Sequence, residues 1–254
     1  MNDTIRTQLQ HRTIREFEDK PVPEEILNQL IQVAARTATS NGLQACSIIR
    51  ITDQAKKAEL ADICKQEYVA RMPEIWIFIA DQYRNGQIAK EKNCHEESIK
   101  DMDRFFQAFT DACLMAQNVV TAAESIGLGT VYLGSILNDP MRTIKLLNLP
   151  KLTFPALGLG FGYPNQNPQL KPRMDMELRM FENGYVCFDN YLDMIKEYDE
   201  IMQTYYDLRQ ANKRVDSFSN QVVTKLMNVN PVRQRIVNAI VKQGFDLMLE
   251  DESK

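Results

Sequence analysis

Residues 75–80 read IWIFIA, an uninterrupted apolar run fenced by Pro73 and Asp81. A half-exposed strand alternates between apolar and polar; this one has no polar face, so it must be covered on both sides. The rest of the chain supplies the cover. Residues 101–126 carry Phe105, Phe109, Ala112, Ala116, Val119, Val120 and Ala123 at helical spacing, with small residues on both flanks and Gly127 beyond. That pattern predicts a long helix enclosed nearly all round and stopped by the glycine. A helix over 23–37 with Pro23 in its first turn, a strand over 47–51 and a helix from Asp53 to about 65 precede the run. A strand over 130–136, a short helix opened by Asp139-Pro140 and a strand over 154–163 follow. Strands separated by helices indicate an α/β or α+β sheet protein. Beyond Asn183 the spacing predicts an amphipathic helix over 189–208, a basic loop, and helices over 219–227 and 231–243 with Gly244 as the stop. The chain reads as one domain, 1–254, in which 185–254 is a helical extension.

Composition narrows the function classes. The chain has 34 acidic and 30 basic residues, a formal charge of −4. That balance argues against a general nucleic-acid binder. The five cysteines are widely spaced with no CxxC, which suits reduced thiols rather than a disulfide framework or a zinc ribbon. Residues 1–10 are polar with no apolar core, and no run approaches membrane length, so the expectation is a cytoplasmic protein without a membrane partner.

Several chemistries fail on spacing. Gly158, Gly160 and Gly162 give GxGxG rather than GxGxxG, and Tyr163-Pro164 follows where a helix should open, so they read as close-packing glycines of a strand. Gly127, Gly129 and Gly134 lack a Walker lysine, and no GxSxG is present. The two histidines, His11 and His95, are too few for a catalytic zinc site, so no metal is expected. Three cationic clusters remain: His11, Arg12, Thr13 and Arg15; Lys171-Pro172-Arg173; and Arg209, Lys213 and Arg214. Guanidinium forks and hydroxyls in small groups suit phosphate, although a solvated basic patch is the ordinary alternative for each.

The segments HRTIREFEDKPVPEEIL from His11, CSIIRITD from Cys46, AQNVVTAAESIGLGTVYLGS from Ala116, PALGLGFGYPNQNPQLKPR from Pro155 and YYDLRQANKRVDSFS from Tyr205 resemble the flavin-dependent nitroreductases. The set is similar to the branch of NADPH-preferring oxygen-insensitive nitroreductases and NADPH–flavin oxidoreductases, in order over nearly the whole chain. The resemblance implies an α+β nitroreductase-like fold: a central mixed sheet flanked by helices, a C-terminal helical extension and an intertwined homodimer with FMN at the interface. It implies NADPH as co-substrate and two-electron, ping-pong reduction of nitroaromatics, quinones or free flavin. A dedicated flavin or disulfide reductase, or a low-turnover flavin-binding module, is the alternative.

Residue by residue, the resemblance assigns His11, Arg12, Thr13 and Arg15 to the N-terminal FMN motif. Thr39, Ser40 and Asn41 fall in the loop beside the flavin, and Gln66 and Tyr68 in the segment reaching it from the partner subunit. Leu133, Gly134 and Ser135 match the backbone at the N5 edge, Lys171 and Arg173 the phosphate clamp, and Arg209 and Arg214 the 2′-phosphate of NADPH. No protein nucleophile is expected, because the cofactor carries the redox chemistry. Asp103 receives no role, and residues 82–102 carry no readable signal.

Overall fold

The computed structural model describes residues 1–207 and 213–247. Its helices and strands run α1 (Asp3–Leu9), α2 (Glu24–Ala35), β1 (Cys46–Arg50), α3 (Gln54–Cys64), β2 (Glu74–Asp81), α4 (Tyr83–Glu91), α5 (Met102–Ser125), β3 (Gly129–Leu133), α6 (Pro140–Leu146) and β4 (Thr153–Gly162). There follow α7 (Tyr191–Met194), α8 (Lys196–Met202), β5 (Tyr206–Asp207), β6 (Lys213–Arg214), α9 (Phe218–Met227), α10 (Pro231–Gln234) and α11 (Ile236–Lys242).

Two compact units are present: residues 1–166 with 230–254, and residues 167–229. The first is built on a four-stranded sheet ordered β1-β2-β4-β3. All eight residues of β2 are buried, as a strand with no polar face requires. Its ladders are antiparallel, and parallel pairing enters through the isolated bridge between Thr13 and Thr130, so the mixed character of the sheet rests on that bridge. Between Phe78 and Ile79 the register slips where Pro155, which has no amide hydrogen, stands opposite Ile79.

The two faces of β2 sort the core. Ile75, Ile77 and Ile79 pack with Leu60, Val69, Met72 and Ile240, whereas Trp76 and Phe78 pack with Leu27, Leu30, Ala112, Val119 and Phe161. Thus α2 and α5 cover one face, and α3, α6 and α11 the other. In β4 the large residues Leu159 and Phe161 join the second cluster. Gly158, Gly160 and Gly162 face Leu133, Met72 and Pro73 so closely that a Cβ would collide with each. The close-packing reading of GxGxG holds, and its consequence is space for the 66–73 and 134–138 segments directly against the sheet.

Helix starts follow the capping residues. Asp53, Asp101 and Asp139 each accept an amide N–H in the first turn of α3, α5 and α6. Gly127 ends the α5 turn at φ +83°, and Gly244 follows α11 at φ +94°. Pro23 precedes the first helical residue of α2 instead of occupying it.

Four expectations need correction. The helix expected over 189–208 is two short ones, α7 and α8, interrupted at Ile195 (φ −102°, ψ 6°) and opened by Asn190 rather than Asp189. Residues 206–207 then pair with 213–214 as a short antiparallel ladder, so Lys213 and Arg214 lie on a strand and not in a loop. The helix expected over 231–243 breaks at Arg235 into α10 and α11. The strand expected over 130–136 ends at Leu133, whose ψ of 67° turns the chain into a 3₁₀ turn, Gly134–Asn138. In addition, α5 is not enclosed all round: Phe106 is 60% and Leu114 49% exposed in the single chain.

The second unit, 167–229, holds α7, α8, β5, β6 and α9. Its α8 and α9 meet through the Asp199 carboxylate, which accepts the Ser219 N–H at 2.9 Å and its Oγ–H at 2.5 Å, and through the Tyr198 and Phe218 rings at 5.3 Å. Ser217 caps α9. The extension predicted from 185 onward is therefore divided, with 230–247 returning to the sheet unit. There Phe245 meets Phe105 ring to ring at 5.0 Å.

Candidate functional site

The N-terminal motif is an extended segment pinned at three points, on β3, on the loop after β4 and on α5. The Ile14 N–H donates to the Thr130 carbonyl at 2.9 Å. Gln166 Oε1 accepts the N–H groups of Arg15 (3.3 Å) and Glu16 (3.0 Å). His11 Nδ1 lies 2.7 Å from Glu124 Oε1, which also accepts the Thr130 hydroxyl at 2.5 Å. Glu124 sits at the C-terminal end of α5 with its side chain 12% exposed. Burial, and then the Glu124 charge, push the Tyr132 phenol well above the usual range.

Gly129 makes this docking possible. A Cβ there would sit 2.7–2.9 Å from Cγ1, Cβ and Cγ2 of Ile14, a β-branched side chain that cannot swing aside without moving its backbone. Gly129→Ala is expected to cost about 1–3 kcal/mol and to shift the 11–15 segment. Chemical denaturation combined with flavin titration checks both effects.

Arg15 opens into a cleft of about 630 Å³ shared with Tyr68, Arg71, Lys57 and Glu74. The Tyr68 hydroxyl donates to Gln66 Oε1 at 3.0 Å, and the same oxygen accepts from Ser135 Oγ at 3.0 Å. One sequence of neighbours therefore leads from Arg15 through Tyr68 and Gln66 to Ser135 and Gly134. The resemblance gave Gln66 and Tyr68 to the partner side of the flavin; here they stand against Ser135 and Arg15 of their own chain. The loop carrying them is held from α3, where Gln54 donates to the Ala70 carbonyl and buried Lys57 Nζ to the carbonyls of Met72 and Pro73 at 2.7 and 2.8 Å. Beside Gly134 a Cβ would meet nothing within 4 Å, so its backbone borders open space, and Leu133 is fully buried. Arg233 Nη1 donates to the Gly134 carbonyl at 3.2 Å.

Thr39, Ser40 and Asn41 form a separate cluster. The Ser40 and Ala45 N–H groups donate to the two carboxylate oxygens of Asp111 at 2.8 and 3.2 Å, and Thr39 Oγ1 accepts the Gln44 N–H at 3.3 Å. Asn41 donates to Gln107 at 3.4 Å. Asp111 and Glu124 lie about 20 Å apart along α5 at 1.5 Å rise per residue.

Within the second unit, Arg173 Nη1 donates to the carbonyls of Lys171 (3.0 Å) and Pro172 (3.3 Å). Burial raises the Tyr198 phenol, an effect opposed by the charges of Arg173 and Arg179. Arg209 lies outside the described residues, and Arg214 is placed only as the partner of Tyr206 in the short ladder. Asp103 accepts from Gln107 at 2.6 Å in the first turn of α5.

Three residues that sequence reasoning passed over organise these clusters: Glu124, Gln166 and Asp111. Asp111 left a signal, because a carboxylate on the apolar stripe of Ala108, Ala112 and Met115 must find donors. Glu124 and Gln166 left none, since the motif residues they hold lie more than a hundred positions away in sequence.

An FMN phosphate needs cations, hydroxyls and unspent donors, and the flavin ring needs an approachable backbone. The motif fits. Arg12 Nε is buried with no partner among the described residues, Arg15 opens into the cleft, and Gly134 borders free space. The nitroreductase family model matches residues 9–163, and the model of the family's C-terminal domain matches residues 171–248. The chain belongs to the nitroreductase family. The oxygen-insensitive NADPH nitroreductase of Salmonella typhimurium is 39% identical to it over 246 residues, 96% of this chain and 99% of that one. The FMN reductase (NADPH) of Bacillus subtilis is 35% identical over 97% of this chain and 99% of its own. The solved NADPH:FMN oxidoreductase from Vibrio harveyi, complexed with NAD+, matches with a TM-score of 0.84 at 33% identity, over 96% of this chain and 99% of that chain.

All five cysteines are free, and burial pushes the Cys46 thiol up to about 12, away from nucleophilic use. Among the described residues no cluster of three or more His, Cys, Asp or Glu could hold a metal ion, and no helix is long and apolar enough to cross a membrane.

Proposed function

We propose that this protein is an NADPH-dependent FMN oxidoreductase that reduces nitroaromatics, quinones or free flavin. The observation that carries the reading is the path of neighbours from the docked 11–15 motif through Tyr68 and Gln66 to Gly134 and Ser135. It joins, within one unit, the residue types that an anionic phosphate tail and a flat heterocycle each require. The family and the named relatives supply the cofactor and the nucleotide.

In this reading His11, Arg12 and Thr13 hold the phosphate, because charge-assisted bonds to a dianion are the strongest available in water. Arg15 lies by the ring edge where negative charge gathers on reduction, which stabilises the reduced form. Gln66, Tyr68, Leu133, Gly134 and Ser135 shape the surface against the ring. FMN, when bound, supplies the two-electron chemistry, so that NADPH and acceptor use one site in turn.

The active form is a homodimer. The Thr39–Asn41 loop and the His11 cluster lie about 20 Å apart along α5, yet the resemblance places both at one flavin. A second chain reconciles them, with Thr39, Ser40 and Asn41 serving the partner's cofactor while Gln66 and Tyr68 serve their own. Exposed Phe106 and Leu114 give α5 an apolar face for such a partner.

Purified protein is expected to be yellow, to bleach anaerobically with NADPH, to recolour with a quinone or nitroaromatic, and to scatter light as a dimer. A colourless preparation that added FMN does not reconstitute would overturn the reading, as would a flavin-loaded, fully active monomer.

A further inference from the structure

We propose that Glu124 is a positioning residue that turns His11 into an anion ligand, by holding Nδ1 so that Nε2 is the edge offered to the FMN phosphate. The inference rests on the assignment of His11 to that phosphate. An ionised carboxylate only accepts, so in the 2.7 Å contact with Glu124 Oε1 it is His11 Nδ1 that donates. Nε2 is then the one ring nitrogen left for a ligand, and a phosphate oxygen there also accepts. With phosphate in place both ring nitrogens donate and the ring carries a positive charge, compensated on one side by Glu124 and on the other by the phosphate. This is the logic by which a carboxylate behind a histidine fixes its orientation and charge toward a ligand in front.

The surroundings make Glu124 suitable for the role. Its oxygen is fixed by the Thr130 hydroxyl at 2.5 Å, and Thr130 is the residue whose carbonyl anchors Ile14. Carboxylate, ring and motif backbone therefore share one reference point on β3. Glu124 is 12% exposed and His11 31%, so the carboxylate lies behind the ring and is the less accessible partner. A surface ion pair would gain little from such a contact, whereas a part-buried, hydrogen-bonded one fixes geometry.

The test measures FMN affinity of the apo-protein by flavin fluorescence for His11→Ala, Glu124→Gln and the double variant, with ¹⁵N NMR of the His11 ring in the FMN-loaded wild type. Each single variant is expected to bind FMN about tenfold more weakly. The double variant should bind no more weakly than His11→Ala, because Glu124 acts through the ring. Both ring nitrogens should carry protons in the loaded wild type, and the Nδ1 proton should exchange faster in Glu124→Gln. Additive losses would show that Glu124 acts through Thr130 and the backbone, and would overturn the proposal while leaving His11 at the phosphate. Unchanged affinity in His11→Ala would remove His11 from the phosphate and the proposal with it. Should Glu124→Gln fail to fold, an unprotonated Nδ1 in the loaded wild type still decides against it.

Discussion

Asp111→Ala is expected to destabilise the protein by about 2–4 kcal/mol and to abolish tight flavin binding together. The side chain is fully buried, and its two oxygens are the acceptors for the Ser40 and Ala45 N–H groups. Removing them leaves two amides without partners, each costing about 1–3 kcal/mol where water cannot reach. The loop between these amides is costly in its own right. Asn41, Gly42 and Gln44 have φ between 51° and 68°, a left-handed region that glycine and asparagine tolerate but Gln44 enters at a cost. Asp111 offsets that strain from the core side of α5. Asp111→Asn sharpens the test: one oxygen still accepts, but the amide NH₂ is set against the other N–H, so about half the loss should remain. Denaturant unfolding with flavin retention on gel filtration measures both. A wild-type transition in Asp111→Ala would show that the loop holds itself.

The sheet unit was legible because its signals are local. The run over 75–80, the aspartates that open α3, α5 and α6, and Gly127 each act through neighbours within one turn, and the structure shows β2 and these helices where expected. The second unit was read less well. An apolar stripe over 189–208 has helical spacing, yet the chain interrupts at Ile195 and pairs Tyr206 with Arg214. The α1 and α4 helices also went unseen, since α1 buries nothing and α4 has no fully buried residue to create periodicity.

The site divides in the same way. The basic residues of the 11–15 motif stand out in the sequence because phosphate chemistry favours those types, and the resemblance assigns them to it. What anchors them could not. Glu124, Gln166 and Gly129 matter through contacts with residues more than a hundred positions away. Gln66 was reached through resemblance alone, and its hydrogen bond with Ser135, 69 positions away, left no trace in the sequence.

The double variant Arg209→Ala/Arg214→Ala is expected to lower kcat/KM for NADPH by about a hundredfold or more. Two charge-assisted contacts to one phosphate would be lost, each worth about 1.5–3 kcal/mol. NADPH differs from NADH by a phosphate far from the hydride, so discrimination must come from cations that meet that group alone. The two arginines stand five residues apart in the sequence, and Arg214 pairs with Tyr206 in a short ladder, while Arg209 lies outside the described residues. Activity with NADH and FMN content should stay close to wild type, because neither involves the 2′-phosphate. Steady-state kinetics with both nucleotides therefore separates three cases. A selective fall with NADPH assigns the pair to the phosphate. An equal fall with both nucleotides points to damage in the flavin site. Unchanged NADPH kinetics would mean that these arginines are solvated surface cations and that the preference for NADPH arises elsewhere.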